Sequence, residues 1–577
     1  MIEFSSLQGE TLWERWQYFA QTTPDKEAIV HWRAVEEPIR WTYSSLLETA
    51  NKFSIYLKNI GVQKGDVCAL IIRHDPYFYP LYLGITGIGA LPSVLAYPNP
   101  RLHPEKFRQG LEGMAQRSGL DWIFTETALE EMILPFVENK LTTVNELFFP
   151  LEWDLERDID SVSMQELSDI RANIKPEEPM LLQHSSGTTG LQKPVVLSHE
   201  AILKHVENLG KSLKLTKEDK IVSWLPLYHD MGLIAAFHLP LASGIPFIQI
   251  DPFEWILAPV LLFMATSKEK ATLTWLPNFA YNLLADKLSE EEMEDLSLES
   301  LRMVINCSEP VRAESHKKFY DSFQKFGFKK NALAAMYGMA ETTLSVSQTT
   351  AGEQAKELSV DREVLASGTV LLTDAETKVR VCVSSGKLID DCSVKIVDEF
   401  RNELSGLAVG EIVVKSVSMF SGYRNYPEKT VEVLDEDGWY FTGDIGFIYD
   451  EDLYVIGRQK DIIIVAGNNI YPEDIEDIVS KVENVIPGRV IAFGEDDPEL
   501  GTEQVSVVVE TKLESESDFD KLRIAILRAG MEVNVNIHSL YIAPPRWLIK
   551  SSSGKPSRKA NRQRIISKTD DKIWSKK

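Results

Sequence analysis

The chain has 577 residues, 44% hydrophobic and 25% charged, and its 61 Lys+Arg against 86 Asp+Glu give a formal net charge of −25. That length corresponds to about three to five compact units, with a composition suited to a large buried core. So acidic a chain argues against nucleic acid as the main partner, because neutralising phosphates needs a basic face. Cys68, Cys307, Cys382 and Cys392 have neither CxxC spacing nor a zinc-ligand pattern. They read as buried side chains of a reducing compartment. No basic and apolar leader occurs at Met1–Ser5, so a cytoplasmic location is expected.

Ser45 followed by Glu48 reads as a capping box that opens a helix. Leu46, Ala50, Phe53 and Leu57 share one face of it, and Gly61 ends it. A buried strand follows over 67–72. Residues 76–100 and 231–250 contain no Asp, Glu, Lys or Arg, long enough runs to span a membrane. Pro80, Gly84, Gly87, Gly89 and Pro92 break the first, and Gly232, Pro240, Gly244 and Pro246 the second. A short apolar helix, a turn and a buried strand are therefore expected in each, with no membrane span. The alternation predicts a layered α/β fold.

From about residue 380 the pattern changes to period two, as in 393–397 and 411–415, with a hairpin turning at Asp450-Glu451-Asp452. This marks a β-rich subdomain over about 380–459. Beyond Lys460 a strand at 462–465, a turn at Gly467-Asn468-Asn469 and a helix from Pro472 restore a mixed pattern. The expected division is an N-terminal domain of 1–459 and a C-terminal domain of 460–577.

The densest chemical signal is Ser185-Ser186-Gly187-Thr188-Thr189-Gly190-Leu191-Gln192-Lys193. Its hydroxyls, small residues and backbone N–H groups can converge on phosphate oxygens, with Lys193 adding charge. A plain surface turn has the same composition. It is not a Walker A loop, and GxSxG, GxGxxG and HExxH motifs are absent; His199-Glu200 and His205 are spaced too far for the last.

The loop resembles the phosphate loop of the adenylate-forming superfamily of acyl-CoA synthetases, luciferases and nonribosomal adenylation domains. Other motifs follow in that family's order. Tyr337-Gly338-Met339-Ala340-Glu341-Thr342 is similar to the YGxxE motif, which implies that Tyr337 stacks on adenine and Glu341 helps hold Mg2+. Ala340 stands where Thr or Ser is common. Trp439-Tyr440-Phe441-Thr442-Gly443-Asp444 resembles the motif whose Asp reads both ribose hydroxyls, with Phe441 in place of Arg. Arg458 in Gly457-Arg458-Gln459-Lys460-Asp461 would contact ribose or phosphate, and Lys460 would be the hinge. Ser551-Ser552-Ser553-Gly554-Lys555 resembles the segment carrying the catalytic lysine, here Lys555.

Within the superfamily the chain resembles fatty acyl-AMP ligases. Trp224-Leu225-Pro226-Leu227-Tyr228-His229-Asp230-Met231-Gly232-Leu233 contains their HDMGL form, which puts His229 between nucleotide and acyl pocket. Pro277-Asn278-Phe279-Ala280-Tyr281 and Asn306-Cys307-Ser308-Glu309-Pro310-Val311 are also similar to theirs. The second implies that Ser308 and Glu309 face the base. Met231, Gly232, Trp275 and Phe279 are candidate acyl-pocket residues. An extra segment over about 351–373 matches an insertion that packs on the C-terminal domain, although its polar composition equally suits a solvated loop. Gly467-Asn468-Asn469-Ile470-Tyr471-Pro472 is nearer the generic synthetase turn.

The resemblance implies two α/β subdomains plus a distorted β-barrel subdomain, followed by a mobile α+β C-terminal domain. The implied reaction is activation of a long-chain fatty acid by MgATP to acyl-adenylate and pyrophosphate. The acyl group then passes to the phosphopantetheine thiol of an acyl carrier protein acting in trans. An acyl-CoA ligase and an inactive nucleotide- or lipid-binding homologue are the alternatives. Residues 546–577 hold 11 Lys+Arg against 2 Asp+Glu, so the basic charge is concentrated around Lys555. That end is expected to be a solvated tail, or a patch in which Arg558, Lys559 and Arg562 dock an acidic carrier.

Overall fold

The computed structural model describes the chain except residues 99–103, 139–141, 157–160, 185–191, 376–377, 466–467, 498–501, 551–555, 568–572 and 577. A first parallel sheet has the strand order Leu91–Val94, Val67–Ile71, Trp122–Thr125, Glu146–Phe148. Its central strand is wholly buried, the reason it reads as a continuous apolar run. The first uncharged stretch is the helix Phe78–Thr86 followed by the strand Leu91–Val94. Among the described residues no helix is long and apolar enough to cross a membrane.

The preceding helix spans Tyr43–Asn59, two residues earlier than the expected cap. Thr42 is its N-cap, and Thr42 and Ser45 exchange the reciprocal bonds assigned above to Ser45 and Glu48. The cause is the strand Ile39–Thr42, which delivers Thr42 in extended conformation and leaves Ser45 inside the first turn. Leu46, Ala50, Phe53 and Leu57 are fully buried as the period requires.

A second sheet joins 13 strands among the described residues. Its core runs Glu27–His31, Phe247–Gln249, Ile221–Ser223, Leu273–Leu276, Met303–Asn306, Leu333–Gly338, all parallel. The β-rich strands Tyr440–Tyr449, Asp452–Arg458, Gly410–Ser416 and Cys392–Val397 are antiparallel. They connect to the parallel core through Ser345–Gln348 and Lys387–Leu388. The hairpin turns on Asp450 and Glu451, both at positive φ.

Residues 351–373 are not a solvated loop. Strand Glu357–Asp361 pairs with Val379–Val383, and helix Arg362–Ala366 follows it. Val360, Leu365 and Val370 are buried against Ile445, Phe447, Ile456 and Tyr471.

The smaller C-terminal part has a sheet ordered Val485–Asp497, Thr502–Thr511, Ile537–Ala543, Trp574–Lys576, with helices Pro472–Ser480, Glu516–Glu532 and Arg558–Ile566. Asn468 and Asn469, expected in a turn, begin the strand Asn468–Ile470, which pairs with Ile463–Val465. The basic end also differs from its expectation. Arg558 forms ion pairs with Asp461 at 2.8 Å, Glu473 at 2.9 Å and Glu476 at 2.7 Å, and its side chain is only 20% exposed. A guanidinium fork matched to three carboxylates is structural, so Arg558 is withdrawn from any docking patch. Cys68, Cys307 and Cys382 are buried free thiols, and Cys392 is partly buried.

Candidate active site

Four neighbouring parallel strands, Ile221–Ser223, Leu273–Leu276, Met303–Asn306 and Leu333–Gly338, each lead at the carboxyl end into a segment singled out above. The carboxyl edge of a parallel sheet is where α/β proteins build ligand sites. After Leu333–Gly338 the chain reverses through the short turn Ala340–Thr342 and returns as Ser345–Gln348. A Cβ on Gly338 would lie 1.9 Å from the Leu344 carbonyl oxygen, so the reversal admits no side chain there. Met339 N–H donates to the same carbonyl at 2.7 Å.

This reversal aims Tyr337 and Glu341 at the β-rich strands. Tyr337 Oη donates to Asp444 Oδ2 at 2.7 Å. Burial, reinforced by the Asp444 charge, pushes the Tyr337 phenol well up, so it remains the donor. Asp444 lies directly across the hairpin from Arg458, whose Nε is 2.9 Å from Asp444 Oδ1. Asp444 is the first cause of the raised Arg458 pKa. Phe441 packs under the Arg401 guanidinium at 4.0 Å. Burial, then Arg458, lowers the Lys460 ammonium, and Asp461, Asp444 and Lys193 also act on it, which places Lys460 in the field of this cluster.

Glu341 is 7% exposed and its Oε1 accepts the Tyr423 hydroxyl at 2.7 Å. Lys193 Nζ lies 3.4 Å from the same hydroxyl and 4.7 Å from the ring centroid. Tyr423 thus links two of the expected residues, Glu341 and Lys193. Nothing local in the sequence singles it out, since it stands 82 positions from Glu341.

Residues Ser185 to Gly190 of the phosphate loop lie outside the described residues, as does Lys555. The loop's frame is described: strands Pro179–His184 and Pro194–Ser198 form an antiparallel pair, and the helix His199–Ser212 starts on the Ser198 cap. His184, just before the loop, is held by Ser93 Oγ at 3.3 Å and Ser118 Oγ at 2.9 Å. Burial lowers its pKa to about 4, so it is neutral. It anchors the pair to the first sheet, a role with no local sequence signal.

On the acyl side, residues Met231–His238 wind as a π-helix, with Asp230 Oδ1 accepting the Met231 N–H at 2.8 Å. A Cβ on Gly232 would meet the Pro226 carbonyl oxygen at 2.3 Å. A π-turn adds a residue per turn, a feature that hydropathy does not encode. Ser308 has φ +71 and its Oγ is 3.7 Å from Met231 Sδ, so two expected residues meet. Glu309 Oε2 instead accepts the Phe279 N–H at 2.8 Å, capping the helix Asn278–Lys287. Phe279 lies edge-on to Trp224 at 6.1 Å, and Trp224 stacks on Trp255 at 3.6 Å. Trp275 is fully buried within its strand, and the His229 ring lies 4.6 Å from that of Tyr228. A separate cavity of about 470 Å³, lined by residues such as Arg73, Glu126 and Asp251, includes none of the expected residues.

The AMP-binding enzyme profile matches residues 16–424. A medium-chain-fatty-acid–[acyl-carrier-protein] ligase of Moorena producens is 30% identical over 92% of this chain and 90% of that protein. A long-chain-fatty-acid–AMP ligase of Mycolicibacterium smegmatis is 31% identical over 67% of this chain and 70% of its own. The crystal structure of a fatty acyl-adenylate ligase from L. pneumophila, in complex with acyl adenylate and pyrophosphate, aligns with TM-score 0.74 and 28% identity, covering 100% of this chain and 99% of that one. The carboxylates, aromatic rings and cations converging at one sheet edge, the profile match over residues 16–424 and the relative 30% identical over 92% of the chain place it in the AMP-binding enzyme family.

Proposed function

We propose that the protein activates a fatty acid with ATP, forming acyl-adenylate and pyrophosphate, and passes the acyl group to the phosphopantetheine thiol of an acyl carrier protein. The observation that carries this reading is the joining of Tyr337, Asp444 and Arg458 in one hydrogen-bonded cluster beside Glu341 and Lys193. It is supported by relatives named for this reaction over nearly their whole length.

In this mechanism Asp444 reads the ribose diol as a double acceptor, and Tyr337 presents its ring to adenine. Arg458 and Lys193, with the loop 185–190, neutralise phosphate charge. The fatty carboxylate is ionised at pH 7 and attacks the α-phosphorus without a general base. Lys555 bridges the two anions, so catalysis is positioning and charge stabilisation. Glu341 suits Mg2+: it offers a hard carboxylate, and among the described residues only its Oε1 is engaged in a hydrogen bond. Bound Mg2+ supplies charge neutralisation on the triphosphate, and magnesium sites commonly use one protein carboxylate plus substrate phosphates. His229, Met231, Gly232, Trp275 and Phe279 line the path of the acyl chain, with Ser308 on its adenine side, while Glu309 serves the Phe279 N–H.

Transfer requires the C-terminal domain, 460–577, to turn about Lys460. The arrangement described here is held by Arg312 Nη2 on the Glu473 carbonyl at 2.9 Å and by Asn534 Nδ2 on Glu363 of the 351–373 segment at 2.7 Å. By the resemblance to fatty acyl-AMP ligases, packing of the 351–373 segment on the C-terminal domain disfavours the CoA-using arrangement. Buried free thiols suit a cytoplasmic setting. The test is product analysis with fatty acid, MgATP and CoA. Acyl-AMP that persists in the presence of CoA and disappears on adding a phosphopantetheinylated carrier supports the reading. Rapid acyl-CoA formation replaces the acceptor, and absence of pyrophosphate release rejects the activity. Lys555→Ala should abolish adenylation while leaving ATP binding nearly intact.

A further inference from the structure

Tyr423 belongs to none of the expected motifs, yet it occupies the junction between them. Its hydroxyl has one proton to give and two lone pairs to fill. The proton goes to Glu341 Oε1 at 2.7 Å, and Lys193 Nζ lies 3.4 Å away as a donor. The nearby Tyr440 hydroxyl also acts on it. The donated proton and the approach of Lys193 together define one orientation of the hydroxyl and of the carboxylate it serves.

The backbone around Tyr423 is tied to both sides of the site. Val196 N–H donates to Gly422 O at 3.1 Å, Ser421 N–H to Val196 O at 2.9 Å, and Arg424 N–H to Pro194 O at 2.9 Å. Residues 421–424 are thereby laid along the strand that leaves the phosphate loop. Phe420 N–H donates to the Glu341 carbonyl at 2.9 Å, so the same segment also grips the turn that carries the carboxylate. Thr430 Oγ1 accepts the Tyr423 N–H at 2.9 Å, and the Phe420 ring packs on Tyr423 at 5.0 Å. Tyr423 is itself 4% exposed.

We propose that Tyr423 is a positioning residue for the metal carboxylate: its hydroxyl holds Glu341 Oε1 in register with Lys193 and leaves Oε2 as the oxygen that would hold Mg2+. This rests on the assignment of Glu341 as the Mg2+ carboxylate. Tyr423 itself touches neither nucleotide nor metal.

The test is Tyr423→Phe, which keeps the ring and its packing and removes only the hydroxyl. The full-length protein is titrated with Mn2+ in the presence of ATP by electron paramagnetic resonance, and AMP binding without metal is measured separately. Loss of one hydrogen bond to a charged group predicts apparent Mn2+ affinity weaker by about tenfold, with AMP affinity within about twofold of wild type. In turnover, the Mg2+ concentration for half-maximal pyrophosphate release rises by a similar factor. Unchanged Mn2+ affinity overturns the proposal. So does a parallel loss of AMP and Mn2+ binding, the signature of a merely structural role. If the Phe variant does not fold, Tyr440→Phe removes the neighbouring hydroxyl that acts on Tyr423. It is expected to weaken Mn2+ binding about two- to threefold, and no change again overturns the proposal. Wild-type acyl-adenylate formation is measured first: if it is absent the functional reading fails, whereas an active wild type with an indistinguishable variant removes only the role of Tyr423.

Discussion

Replacing Asp444 with Asn preserves the shape of a side chain that is 9% exposed and removes its charge. The carboxylate now accepts from Tyr337 Oη at 2.7 Å and Arg458 Nε at 2.9 Å. The Arg458 side chain is 47% exposed, so the ion pair is screened and its loss costs about 0.5–1 kcal/mol of stability. The fold therefore survives. Nucleotide binding suffers more, because a hydrogen bond to a charged acceptor contributes about 1.5–3 kcal/mol against about 0.5–1.5 for a neutral one. Two ribose hydroxyls each lose about 1 kcal/mol, which multiplies to about a 30-fold weaker AMP affinity. Isothermal titration of AMP into wild type and Asp444→Asn, beside thermal melts, measures both quantities. An AMP affinity within about threefold of wild type would refute the assignment of Asp444 to the ribose. A collapse of the melting transition would show that the carboxylate acts chiefly on the fold.

Three further outcomes follow from the geometry. Gly338→Ala places a methyl 1.9 Å from the Leu344 carbonyl oxygen and should destabilise the protein by about 3 kcal/mol or more, read as a lower denaturation midpoint; an unchanged midpoint would mean the reversal is not so tight. Burial pulls the Asp219 carboxyl up, but hydrogen bonds from Arg302 and Thr272 outweigh it and leave its pKa below the ordinary value. A depressed folded pKa contributes stability above the unfolded value, about 4, and loses it as pH falls through the folded one. Denaturant titrations should thus show wild type and Asp219→Asn differing fully at pH 6 and converging toward pH 3; a difference independent of pH counts against the argument. Arg312→Ala removes the bond to the Glu473 carbonyl and the approach to Asp477 at 3.9 Å. Faster proteolysis between residues 457 and 472 is expected, and equal rates would show that Arg312 does not restrain the C-terminal domain.

The helix face Leu46, Ala50, Phe53, Leu57 and the uncharged stretches were legible because burial imposes a period or a run on neighbouring residues. The start of that helix is not local information: Thr42 and Ser45 form the cap, and the choice between candidate caps depends on where the preceding strand ends. Segment 351–373 was ambiguous for a related reason, since its three buried apolar side chains are covered by residues from 445 to 471. Arg558 reads as tail charge until helix Arg558–Ile566 is packed against Glu473 and Glu476.

By itself the sequence determined the motifs, their order and the α/β alternation, because backbone reversals, phosphate-sized loops and buried strands constrain residue type locally. It also located Tyr337, Glu341, Asp444, Arg458 and Lys193 as a set. Only the tertiary structure decided how they are joined. Asp444 meets Tyr337 across 107 positions, and Tyr423 meets Glu341 across 82. The π-winding of Met231–His238 and the commitment of Glu309 to a helix N-terminus belong to the same class. A hydrogen bond between distant strands depends on register and strand order, and these are properties of the packed sheets that no local pattern carries.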